Sequence, residues 1–141
     1  MSLDLSSLAN AIVSLDDGLG VVGNTDWLAA QPQAVRHTLI AGVIQQFEFV
    51  YELSIKMLRR RLEMDAATPT DVDYGSFRDL LRLAAERGLI ADIEAWFRYR
   101  QMRNITSHTY DQDKAQQVCA GVAPFIVDAR ALLQGLVARN A

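Results

Sequence analysis

Between Arg103 and Asp111 the chain reads Arg103-Asn104-Ile105-Thr106-Ser107-His108-Thr109-Tyr110-Asp111, which gathers a guanidinium, a carboxamide, an imidazole, a phenol and a carboxylate. A guanidinium grips phosphate through a planar fork of donors, and an imidazole moves protons near neutral pH. Chemistry at a phosphate is what such a set suits. On an unbroken helix Arg103 and Tyr110 would share a face, whereas His108 would point about 140° away at about 100° per residue. Thr106, Ser107 and Thr109 are poor in helix interiors because their hydroxyls compete for nearby backbone groups. The helix should therefore end near Ile105 to Ser107, before Asp111 restarts one, so that His108 swings toward Arg103. The plainer alternative is that Asp111 and Asp113 satisfy the histidine and the arginine around a turn. A single histidine also lacks a partner for two-step proton transfer.

Helices must position these residues. Leu5, Leu8, Ile12, Leu15 and Leu19 repeat at three- and four-residue spacing, the mark of one apolar helical face. Gly20 to Gln31 then reads as a connection with one short turn near Trp27. Pro32 opens a second helix from Gln33 to about Glu63, roughly 30 residues and about 45 Å long. Its apolar positions form two stripes, Val35, Leu39, Val43, Val50, Leu53 and Met57 beside Ile40, Ile44, Phe47, Tyr51 and Leu58. So broad a surface predicts packing on two sides, within the domain or against a second copy of the chain. Pro69, Thr70, Asp71 and Asp73 break this helix. Ser76 and Asp79 start a short third one that Gly88 ends in the left-handed conformation. Asp92 caps a fourth with Ile93, Trp96, Phe97 and Ile105 inward, and Asp111 or Asp113 caps a fifth carrying Val118, Val122, Phe125, Ala129, Leu132 and Leu136. Pro124 should kink that last helix. No alternating strand pattern competes, so the fold class is all-α, an antiparallel four-helix bundle with an additional short helix, with residues 1–141 as one domain.

Other signals are weaker. Gly18, Gly20 and Gly23 match G-x-G-x-x-G, but they follow a helix pattern rather than a strand, which argues against a dinucleotide loop. His37 has no second ligand at metal spacing, so no metal site is expected. Glu48, Glu52 and Lys56 at successive i, i+4 positions suit a solvated face, or with Gln45 and Gln46 a polar strip lining a groove. Arg59, Arg60 and Arg61 complement the negative end of the second helix. Arg98, Arg100 and Arg103 alternate with Phe97, Tyr99 and Met102, a composition fit for phosphate and base contacts.

Bulk properties narrow the classes. The 141 residues are 50% hydrophobic with a formal net charge of −3 and a sequence pI near 5.3, so any nucleic-acid contact must be local. Cys119 is the only cysteine, which excludes an intrachain disulfide and fits a reducing compartment. Met1 to Leu5 carries no basic stretch and no run reaches about 18 uninterrupted apolar residues, from which a cytoplasmic, unanchored protein is expected, with no membrane partner.

Arg103, Asn104, His108 and Tyr110 spell the R-x4-H-x-Y motif of the HEPN family. The run Gln46-Phe47-Glu48-Phe49-Val50-Tyr51-Glu52-Leu53 with Lys56, and the opening Leu3-Asp4-Leu5-Ser6-Ser7-Leu8, resemble its branch labelled nucleotidyltransferase substrate-binding protein. The resemblance spans nearly the whole chain and is thinnest from Gly20 to Pro32. It implies a helical-bundle homodimer paired with a minimal nucleotidyltransferase as toxin and antitoxin, with no cofactor. In HEPN ribonucleases two motif copies meet across the dimer and cut RNA without metal, which answers the missing second histidine. Carried over, His108 assists attack by a ribose 2′-hydroxyl, Arg103 bears phosphate charge and Asn104 supports them. Tyr110 is then where the nucleotidyltransferase attaches AMP to silence the site. Arg100, Glu48, Glu52 and Tyr51 are the groove candidates beside it. Three readings follow: a ribonuclease toxin acting on RNA such as tRNA, a non-catalytic subunit presenting a substrate or nucleotide to the nucleotidyltransferase, and an inert helical interaction module. A complete Arg, His and Tyr set is more than passive binding needs, which favours the first.

Overall fold

The computed structural model describes residues 2–66, 76–108 and 111–140. The first apolar face folds as α1 (Ser6–Gly23), with Leu8, Ala11, Ile12 and Leu15 buried. α1 overruns its expected end because Leu19 and Val22 continue the same face onto the core. Their partial burial offsets the roughly 1 kcal/mol that each helical glycine costs. Gly18, Gly20 and Gly23 all lie within α1, so the glycine match is not a strand-to-helix loop. The turn near Trp27 is α2 (Thr25–Ala29), started by the Asn24 side chain accepting from the Trp27 amide at 3.3 Å.

After Pro32 comes α3 (Gln33–Asp65), which buries Val43, Ile44, Phe47, Val50, Tyr51, Met57 and Leu58 from the two stripes and leaves Val35 exposed. Arg61 corrects the dipole reading of its arginine run. Its side chain is buried, bonds Asp65 Oδ1 at 2.6 Å, and reaches the Arg139 carbonyl at 3.3 Å. It is a tether between helix ends rather than a solvated charge. The expected break at Pro69, Thr70, Asp71 and Asp73 lies outside the described residues.

Local signals set the remaining elements. Ser76 Oγ accepts from the Asp79 amide at 3.2 Å at the start of α4 (Phe77–Glu86), and Gly88, φ +75°, ends that turn. Asp92 caps α5 (Ile93–Asn104) through the Ala95 amide at 3.2 Å. A 3₁₀ turn, Thr106–His108, follows. Asp111 Oδ1 then accepts from the Asp113 and Lys114 amides at 3.0 and 3.3 Å to open α6 (Gln112–Arg139), which stays helical through Pro124.

The described residues are helical with no strand, an all-α bundle. Contacts at matching ends give the directions. His37 meets Gln112 and Arg61 meets Arg139, so α3 and α6 run the same way; Asp16 pairs with Arg130 and Leu3 with Asn140, so α1 opposes them. Tyr99 meets Asp128 and Met102 meets Gly121, so α5 opposes α6. α6 is long and apolar enough by composition to cross a membrane, yet Val118, Val122, Phe125, Ala129, Leu132 and Leu136 spend its apolar face on the bundle core.

Phe125 sits at the centre of that core. Its ring is edge-on to Phe47 at 4.8 Å, to Tyr99 at 5.0 Å and to Trp96 at 6.0 Å. This cluster seats α5 against α3 and α6. Tyr99 and Met102 are therefore core residues, which corrects their reading as base contacts; each full burial is worth roughly 2 kcal/mol or more and leaves no face for a base.

Candidate functional site

α5 ends at Asn104, and its last amide bonds give way to the turn in which the His108 amide donates to the Ile105 carbonyl at 3.0 Å. The Asp111 amide in turn donates to the His108 carbonyl at 3.0 Å. His108, half-buried, is thus pinned by backbone bonds on both sides at the junction of α5 and α6. Thr106 makes the turn: it is buried, and its hydroxyl donates to the Arg103 carbonyl at 2.8 Å. Asn104 is exposed on the final turn of α5. Tyr110 lies outside the described residues.

Arg103 is held from α3. Its Nε and Nη2 donate to Glu52 Oε1 at 3.0 and 2.7 Å, Nη2 lies 3.0 Å from Glu48 Oε1, and Nη1 reaches Thr106 Oγ1 at 3.3 Å. These contacts use four of the five N–H donors of a guanidinium. The trio of one cation and two carboxylates carries a net charge of minus one. Its side chains remain 32%, 34% and 55% exposed for Arg103, Glu48 and Glu52, so solvent screens the pairing. Glu48 and Glu52 thus spend their carboxylates on Arg103 of α5. The arginine's carboxylate partners come from α3, whereas Asp111 spends its carboxylate capping α6.

Tyr51 is buried directly beneath. Burial pushes its phenol up to about 12, although Arg100, Arg103 and Arg59 around it pull the other way. Arg100 lies one turn before Arg103 with its guanidinium 4.4 Å above the Phe77 ring, and Arg78 sits 4.5 Å above Phe97, a reciprocal lock of α4 on α5. The structure therefore brings Arg103, Glu48, Glu52, Tyr51 and Arg100 together, with His108 on the adjoining turn. Sequence reasoning missed how tightly Glu48 and Glu52 engage Arg103; their i, i+4 spacing on an apolar helix was the available signal. Among the described residues no three His, Cys, Asp or Glu side chains gather as a metal site would require.

Residues 3–138 match the family described as nucleotidyltransferase substrate binding protein like. A protein of Haemophilus influenzae described as probable ribonuclease HepT is 47% identical over 138 residues, covering 98% of this chain and 94% of that protein. A solved Haemophilus influenzae structure, described as revealing the fold of a substrate binding domain of a nucleotidyltransferase, superposes with a TM-score of 0.90 at 47% identity, covering 94% of this chain and 98% of the other. A crystal structure from Thermus thermophilus shares the fold at a TM-score of 0.70 and 21% identity, over 92% of this chain and 98% of that one.

Proposed function

Because the chain belongs to the nucleotidyltransferase substrate-binding-protein-like family, a branch of the HEPN proteins, we propose that it is the RNA-cleaving partner of a minimal nucleotidyltransferase, a toxin to that enzyme's antitoxin. One observation carries this reading: α5 stops between Arg103 and His108, so a guanidinium and an imidazole stand at one helix end, neither fully buried. The name of the 47% identical relative supports the same class. His108 takes the proton of a ribose 2′-hydroxyl, whose oxygen attacks the adjacent phosphorus. The bond to the 5′-oxygen breaks, and the partner subunit's His108 in a homodimer returns a proton to it. The products are a 2′,3′-cyclic phosphate and a 5′-hydroxyl, with no metal needed. Arg103 bears the developing phosphate charge and Asn104 supports the turn. Adenylylation of Tyr110 adds a bulky anion to the same motif and silences it. The setting is cytoplasmic.

A second reading, a non-catalytic subunit presenting a substrate to the nucleotidyltransferase, is favoured by the clamp on Arg103. Two carboxylates already occupy the arginine that a phosphate would need. Cleavage of a total tRNA pool in EDTA by wild type and His108→Ala, each checked by intact mass for AMP, decides between them. Cleavage by wild type alone establishes the ribonuclease. No cleavage by unmodified wild type transfers the conclusion to the presenting subunit.

A further inference from the structure

A cavity of about 670 Å³ opens between α2, the first turns of α3 and the first turn of α6. Its size falls in the range of small-ligand sites, roughly 300–1,000 Å³. Leu28 from α2, Ile40 and Ile44 from α3 and Ala115 from α6 give it apolar walls on three sides. Arg36, His37, Gln112 and Gln116 supply its polar edge, where the Gln112 amide nitrogen meets a ring nitrogen of His37 across the α3–α6 seam. No carboxylate stands among the described lining residues, in a chain of net charge −3. Aliphatic walls with amide, imidazole and guanidinium groups at the rim suit a nucleobase, which offers two apolar faces to pack and an edge to hydrogen-bond. A rim without carboxylates also spares the repulsion that an acidic one would set against the phosphates that accompany a base.

The cavity also adjoins the motif. Ile44 in its wall precedes Glu48 of the Arg103 clamp by one turn of the same face of α3, about 6 Å along the axis. Gln112 and Ala115 begin the helix that the His108 turn feeds. We propose that this cavity is the subsite for one splayed-out base of an RNA whose scissile phosphate lies at Arg103. It rests on the ribonuclease reading for its place beside the cut. The occupant is a nucleotide of the RNA chain.

The test uses the full-length His108→Ala protein and methyl NMR of Ile40, Ile44 and Leu28. A short uncleaved RNA and the four ribonucleoside monophosphates should shift these methyls, whereas ribose 5-phosphate, which lacks a base, should not. Ala41→Phe, a filling substitution at an exposed lining position, should weaken the RNA response at least tenfold, and Gln116→Ala should weaken it severalfold. In a His108-containing background, Ala41→Phe should change which nucleotide flanks the cut. Equal shifts from ribose 5-phosphate, or silent cavity methyls because a second copy or nothing but solvent occupies the space, overturn the subsite. So does cleavage of unchanged sequence preference in Ala41→Phe. If no protein variant cleaves but base-dependent shifts persist, the ribonuclease reading fails while base binding stands; cleavage with silent methyls is the reverse.

Discussion

Arg103 is caught between two demands. The Glu48 and Glu52 carboxylates fix its orientation, which a phosphate-binding group must have before substrate arrives. In the proposed reaction the same carboxylates put a surplus negative charge where the phosphate approaches. Glu52, the more exposed and the closer, is the one whose removal separates the effects. Glu52→Gln is expected to lower KM for RNA a few-fold by removing that charge, and to lower kcat about tenfold by loosening the fork, both read from steady-state cleavage of a labelled oligonucleotide. A drop in kcat/KM with KM raised would mean that Glu52 serves binding by orienting Arg103 more than it opposes it by charge. Asp65 offers a different kind of residue-scale test. Its hydrogen bond from Arg61 holds its carboxyl below the usual 3.8. A depressed folded pKa contributes stability that is fully present above the unfolded value and is lost as pH falls through the folded one. Asp65→Asn should therefore cost about 1–2 kcal/mol at pH 7, since it strands part of a buried guanidinium. The gap to wild type should shrink on acidification below about pH 4, followed by urea midpoints across pH.

At the scale of elements, the junction between α5 and α6 ties stability to the site. Asp111 accepts two amide bonds that start α6 and receives the chain straight from the His108 turn. Asp111→Ala should lose about 1 kcal/mol of stability, the ordinary worth of an N-cap. It should also cut activity, because the turn that aims His108 loses its downstream anchor. Asp111→Asn keeps an acceptor and should restore both; a melting curve and a cleavage rate measured on the same preparations check it. Caps of this kind were legible in the sequence, as Ser76, Asp92, Asp111 and the left-handed Gly88 show, because each is a short-range hydrogen-bond or backbone requirement. The end of α5 was legible for the same reason. What depends on distant partners was not. Arg61 looked like a helix-end charge until Asp65 and the α6 terminus closed around it, and α1 ran past Leu19 because α3 lay there to bury Val22. Tyr99 and Met102 read as an aromatic-basic surface, but the position of Phe125 on α6 turned them inward. The i, i+4 carboxylates of α3 were visible; that α5 would deliver Arg103 to them was not.

For the whole molecule the question is whether one chain is a complete unit. Proton removal from the 2′-hydroxyl and proton return to the 5′-oxygen need two groups in opposite protonation states, and each chain supplies one motif histidine. His37, the other histidine, is tied to Gln112 at the cavity between α2, α3 and α6. The acid and the base of the proposed reaction are then the two copies of His108 in a dimer, facing one phosphate. In solution the wild-type protein should run at twice the 15.7 kDa of one chain, measured by light scattering. Mixed dimers carry the argument further. When differently tagged wild-type and His108→Ala chains are co-expressed and the heterodimer is isolated through both tags, it should cleave RNA at no more than a few per cent of the wild-type rate, since removing either acid or base costs about 10²- to 10⁴-fold. Half the wild-type rate would mean that each chain works alone, with a single histidine or solvent doing both proton transfers. The same heterodimer should still bind RNA with near wild-type affinity, because His108 moves protons while Arg103 of both chains remains to hold phosphate.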